Sequence, residues 1–70
     1  MIVIEEPKVN KKLFYTVAET SAVLNIDRST LYRWENAGEI TGTINRNGRR
    51  LYNGLAIIKL WRLKRTGMTL

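Results

Sequence analysis

A mainly α domain of three short helices with one small β-hairpin is the fold this chain predicts, and three observations carry that reading. Two segments with helical spacing, about Val17 to Leu24 and Arg28 to about Gly38, are separated by only three residues. The period then changes to an alternation between Glu39 and Tyr52, interrupted by Asn47 and Gly48. A last apolar segment returns to helical spacing from Asn53 to about Arg65.

Each element has its own local signals. Thr16 followed three residues later by Glu19 is a capping box, in which Thr16 accepts from the Glu19 amide and Glu19 reaches back. Val17, Ser21 and Leu24 then share one face of the first helix, supported by Ala18 and Ala22. Asn25 tolerates the left-handed backbone that reverses the chain, and Ile26 is expected to enter the core beneath the turn. Asp27 suits the N-cap of the second helix, both as a side-chain acceptor and as a charge at the positive end of the dipole. In that helix Leu31 and Trp34 lie on one face as anchors, while Arg28, Ser29, Tyr32 and Arg33 point elsewhere. Gly38 is placed to end it. Two short helices around a three-residue turn make a helix-turn-helix.

The following hairpin sets Ile40, Gly42, Ile44, Arg50 and Tyr52 in alternation with Thr41, Thr43 and Leu51, and Asn47-Gly48 is a strong turn signal. Arg46, Arg49 and Arg50 cluster at its tip and return arm, which gives a basic wing beside the helix-turn-helix. Asn53 can cap the third helix, which is expected to stop before Gly67. That helix carries Leu55, Ile58 and Trp61 on one side and Ile57, Leu60 and Leu63 on another. Part of it must close the core, and the rest serves either as an internal surface or as an exposed seam. Residues 1–13 are expected to form an N-terminal arm or tail, with a tail favoured, ahead of one domain over residues 14–70.

Composition narrows what such a domain does. Seventy residues allow one domain, and 44% hydrophobic content supports a packed core. With neither Cys nor His there are no disulfides, none of the usual zinc sites and no His-based acid–base catalysis. The six acidic residues form no paired arrangement, so neither an enzyme nor a bound cofactor is expected. No apolar run reaches membrane-spanning length and no signal peptide is recognisable, which makes a cytoplasmic location the default. The net charge of +6 is unevenly placed: residues 1–27 hold three Lys against four acids, and residues 28–70 hold nine cations against Glu35 and Glu39. Seven of those nine are Arg, whose planar fork suits phosphates and guanine edges. A solvated basic face is the plain alternative, but the excess begins at the second helix, which reads as a recognition helix for double-stranded DNA. Trp34 and Trp61 do not suggest a single-strand stacking platform, because no aromatic strip interleaves the basic residues.

The segment from Tyr15 to Gly38, with its Thr16-Val-Ala-Glu-Thr opening and Asp27-Arg-Ser-Thr-Leu-Tyr-Arg-Trp recognition helix, resembles the start of MerR-type regulators and the related excisionase-like proteins of phages and transposons. The wing pattern of that family lies without a gap on Gly38 to Tyr52, and Gly67-Met-Thr-Leu70 is similar to its usual ending. Glu39, Gly42 and Ile44 depart from the family's apolar residue, Pro and frequent Arg. The long coiled-coil helix and effector pocket of the sensing members do not follow, so no small-molecule effector is expected in this chain. The resemblance implies a winged helix-turn-helix in which Arg28, Ser29, Thr30, Tyr32 and Arg33 face the major groove or its bordering phosphates, and Arg50 and Tyr52 touch the backbone. Arg46 and Arg49 join them as phosphate contacts of the wing. Arg28 and Ser29, at the helix N-terminus, are the ones placed to reach base edges. The function implied is sequence-specific binding of duplex DNA as the DNA-binding part of a transcription regulator. A recombination, packaging or segregation accessory, or the targeting domain of a transposase, would use the same parts. Dimerisation or cooperative assembly is expected through a region beyond residue 70.

Overall fold

The computed structural model describes residues 5–68, with side chains through Arg65. Six elements follow in order: β1 (Phe14–Thr16), α1 (Val17–Leu24), α2 (Arg28–Asn36), β2 (Thr43–Ile44), β3 (Arg50–Asn53) and α3 (Gly54–Met68). The three strands form one antiparallel sheet in the order β1-β3-β2, with Tyr15 opposite Tyr52 and Ile44 opposite Arg50. The hairpin thus gains a third strand that the sequence did not announce. β1 is only three residues long and flows directly into the α1 cap, so it offers no alternation long enough to read.

α1 begins as its sequence dictates. The Thr16 hydroxyl accepts from the Glu19 amide at 3.1 Å, and the Thr16 amide donates to Glu19 Oε1 at 2.9 Å. Its packing differs from expectation: Thr20, Ser21 and Leu24 are buried, whereas Ala18 and Ala22 are exposed. Ser21 escapes the cost of burial by donating to the Val17 carbonyl at 2.7 Å. Thr20 Oγ1 has no partner.

The core is continuous across all three helices and the sheet: Leu24, Leu31, Ile40, Tyr52, Ile57, Leu60 and Trp61 are packed together, with Ile26 and Trp34 partly buried against them. On α3 the buried stripe is Ile57, Ile58, Leu60 and Trp61, and the two apolar sides expected from sequence resolve into this stripe plus exposed Leu55 and Leu63. The Asn53 side chain caps the helix by accepting from the Leu55 amide at 3.0 Å. α3 runs on through Gly67 to Met68, because a lone Gly weakens a helix by only about 1 kcal/mol and need not end one. No helix among the described residues is long and apolar enough to cross a membrane.

Residues 5–13 lie against the domain as an arm and not as a free tail. Pro7 is buried, Val9 packs on the core, and the Asn10 amide donates to the Tyr15 hydroxyl at 2.7 Å. The Gly54 amide donates to the Leu13 carbonyl, and a Cβ on Gly54 would stand 2.1 Å from the Asn10 carbonyl oxygen. The bare glycine is what allows the arm to approach α3. Met1–Ile4, which begin the expected arm, lie outside the described residues.

Candidate nucleic-acid interface

The turn between the first two helices sets the direction of α2. Asn25 takes φ 55° and ψ 51°, the left-handed region its short polar side chain tolerates, and the Ile26 amide closes back on the Ser21 carbonyl at 3.0 Å. Asp27 occupies the N-cap position with its carbonyl accepting from Leu31, yet its side chain makes no capping bond. Its stabilising role is therefore confined to charge at the helix N-terminus. At the other end Gly38, at φ 80°, donates to the Glu35 carbonyl and Glu39 donates to the Trp34 carbonyl, which is a Schellman closure. Lys64 of α3 then fixes this end: its ammonium pairs with Glu39 at 2.6 Å and lies 4.7 Å from the centre of the Trp34 ring.

Leu31 is fully buried and Trp34 and Glu35 are partly buried, which leaves the other side of α2 turned outward. Arg28, Ser29 and Arg33 are exposed, Tyr32 is 42% exposed, and Thr30 is half-buried. Arg33 Nη2 donates to Thr30 Oγ1 at 3.3 Å, so Thr30 acts on its neighbour's posture and its hydroxyl is partly committed.

The wing is shaped by a single asparagine. Asn45 Oδ1 accepts from the amides of Asn47 and Arg49, both at 2.9 Å, while the Asn45 and Arg49 backbones pair and the Gly48 amide returns to the Asn45 carbonyl. Only Gly48 has a positive φ, 77°, and neither Arg46 nor Asn47 does. The tip is thus a three-residue loop with glycine at its left-handed position, not the two-residue turn that Asn47-Gly48 suggests. Arg46 and Arg49 are exposed on it.

Glu35 ties the wing to α2. One of its oxygens, Oε1, accepts from Arg50 Nη1 at 2.6 Å and from the Tyr52 hydroxyl at 3.1 Å, and the Glu35 side chain is only 16% exposed. Gly42 lies alongside, where a Cβ would come 3.0 Å from Glu35 Oε2 and 3.1 Å from Tyr52 Cε1. Tyr52 is fully buried. Its pKa is pushed up to about 12, first by burial and then by the hydrogen bond and charge of Glu35, against a smaller opposing effect of Arg50. Tyr52, which the resemblance expects at the DNA backbone, has its ring in the core and its hydroxyl donated to Glu35. Arg50 keeps a 41% exposed side chain while making that ion pair.

These elements enclose a cleft of about 400 Å³ lined by Thr16, Val17, Ala18, Arg28, Tyr32, Arg49 and Arg50. It joins the first turn of α1, where helix geometry leaves backbone N–H groups without intrahelical partners, to three guanidinium groups from α2 and the wing. An anion is the ligand such a lining suits. Ser29, Thr30 and Arg33 lie along α2 outside the cleft, and Arg46 stands beyond it at the wing tip. Val17 and Ala18 were assigned to packing by sequence spacing. The signal that could have placed them here is the capping box itself, which marks the helix start.

The chain matches the helix-turn-helix domain family over residues 14–66. It belongs to that family, in its MerR/excisionase-like branch. No curated protein and no solved structure matches the chain. A helix-turn-helix domain of this family is a DNA-binding unit, and the family is typically non-enzymatic.

Proposed function

We propose that this helix-turn-helix domain binds duplex DNA in a sequence-specific manner as the DNA-binding part of a transcription regulator. α2 enters the major groove with Arg28 and Ser29 at the base edges, where the N-terminal residues of a recognition helix reach. Tyr32 and Arg33, one turn further along, meet phosphates or flanking bases, with Thr30 steadying Arg33. Arg46, Arg49 and Arg50 hold the backbone from the wing, and the α1 N-terminus adds its amides to the same phosphate track. The family's DNA-binding character supports this reading, as does the absence of any acidic residue from Ile40 to Asn53.

The observation that carries it is the shared lining of one cleft by Arg28, Tyr32, Arg49 and Arg50 together with the start of α1. Recognition helix, wing and helix N-terminus thereby address one strip of ligand. Selection from random duplexes, followed by titration of Arg28→Ala and Arg49→Ala, tests the assignment. Arg28→Ala should lose about 1–3 kcal/mol at particular base pairs and relax discrimination there. Arg49→Ala should weaken all duplexes alike and reduce the salt slope of log K by about 0.9. Selection that enriches no sequence, or uniform weakening by Arg28→Ala, would overturn the base-reading role.

A further inference from the structure

The chain places Gly directly after Asn twice, at Asn47-Gly48 and at Asn53-Gly54. This pair of residues carries a chemistry of its own. The glycine nitrogen can attack the side-chain carbonyl carbon of the asparagine, an approach that the missing Cβ of glycine leaves open. A C–N bond forms, the bond to the side-chain nitrogen breaks, and that nitrogen leaves as ammonia with the proton given up by the glycine amide. Water then opens the five-membered succinimide at either carbonyl carbon. One opening gives aspartate. The other gives isoaspartate, in which the main chain runs on through the former side-chain carbonyl carbon.

The fold treats the two sites in opposite ways. At Asn53 every reacting group is held: Oδ1 accepts from the Leu55 amide at 3.0 Å, Nδ2 donates to the Leu13 carbonyl at 3.5 Å, and the Gly54 amide donates to that same carbonyl at 2.9 Å. Gly54 is buried as the first residue of α3, so the ring can close there only after the arm, β1 and the start of α3 have separated. Asn47 and Gly48 are both exposed, and the Asn47 side chain makes no hydrogen bond. The Gly48 amide has a single partner, the Asn45 carbonyl at 3.0 Å, in a loop tip where local opening costs little.

What the reaction would do follows from its neighbours. Arg46 and Arg49 flank the site, and no acidic residue occurs from Ile40 to Asn53. Either product sets a carboxylate between the two guanidinium groups at the tip. Isoaspartate also lengthens the main chain by one carbon between the amides of residue 47 and Arg49, the two points that Asn45 Oδ1 holds at 2.9 Å. We infer that Asn47 is a site of spontaneous deamidation, left open by the fold while its twin at Asn53 is closed, and that the change weakens the hold of the wing on phosphate. The second half rests on the proposed binding of duplex DNA.

The test ages the full chain folded in neutral buffer and, in parallel, unfolded in urea. Peptide mapping by mass spectrometry reads each asparagine, and labelling by an isoaspartyl methyltransferase reports the isoaspartate. In the folded chain Asn47 should convert within a few-fold of its rate in urea, and Asn53 at least about tenfold more slowly than in urea. Equal slowing at both sites, or faster conversion at Asn53, would overturn the site. On a duplex chosen by selection, the aged wild type should lose affinity, whereas Asn47→Gln, whose longer side chain cyclises far more slowly, should keep it. Asn47→Asp should bind roughly 3–10-fold more weakly, the effect of one like charge about 8 Å from a phosphate in a medium between water and protein. Full affinity in both Asn47→Asp and the aged wild type would overturn the effect on the wing while leaving DNA binding intact. Failure of the fresh wild type to bind any duplex would overturn the DNA-binding reading and that effect together, with the site itself still decided by mass.

Discussion

Replacing Glu35 by Ala should destabilise the domain far more than an ordinary surface carboxylate would, and the size of the effect follows from what Glu35 holds. Its Oε1 accepts from the hydroxyl of Tyr52, which is fully buried, and a hydrogen bond from a buried group to a charged acceptor contributes roughly 1.5–3 kcal/mol. The ion pair with Arg50 adds little, about 0–1 kcal/mol, because the Arg50 side chain is 41% exposed and water screens it. Together the loss should be about 2–3 kcal/mol, enough to lower the melting temperature of a domain this small by roughly 10–20 °C. Thermal unfolding followed by far-ultraviolet circular dichroism measures it. Glu35→Gln keeps an acceptor for the hydroxyl and should lose only about 1 kcal/mol. In a Tyr52→Phe background, Glu35→Ala should cost at least about 1 kcal/mol less than in the wild type, since the shared bond is already gone. A melting temperature within about 2 °C of wild type for Glu35→Ala, or strict additivity in that cycle, would refute the account of Glu35 as the tie between helix and wing.

Three further outcomes follow from single features. Thr20→Val replaces an unpartnered, fully buried hydroxyl by a methyl of nearly the same shape and should stabilise the domain by about 1 kcal/mol, read as a higher denaturant midpoint at unchanged m. The raised pKa of Tyr52 means the folded state holds that proton more tightly than the unfolded chain does. The resulting stability is complete below pH 10 and is lost as pH climbs toward 12, so alkaline denaturation should set in over that window and be blunted in Tyr52→Phe. Gly54→Ala, which in an open helix would gain about 1 kcal/mol, should instead destabilise by about 1–3 kcal/mol, because its Cβ would meet the Asn10 carbonyl; amide exchange should then quicken in residues 7–13 as the arm lifts.

What the sequence made legible was local. The capping box of Thr16 and Glu19, the left-handed Asn25, the glycine closing α2 and the Asn53 cap each concern residues within a few positions of one another, and each was placed from residue type alone. What escaped depends on long-range partners. β1 exists because Tyr15 finds Tyr52 across the sheet, and the arm is held because Gly54 admits Asn10. The candidate site divides along the same line. Exposure of Arg28, Ser29, Arg33, Arg46 and Arg49 agrees with their spacing, since a short helix and a loop tip leave such side chains nowhere else to go. For Tyr52 the backbone contact is implied by the resemblance alone; alternation sets it on the same face as Arg50 without saying whether that face meets solvent or core. That choice is made by Glu35, 17 residues away, whose carboxylate draws the tyrosine hydroxyl inward while the arginine beside it remains half in solvent. One carboxylate therefore decides both how the wing stands against the recognition helix and which of its side chains are left for a ligand.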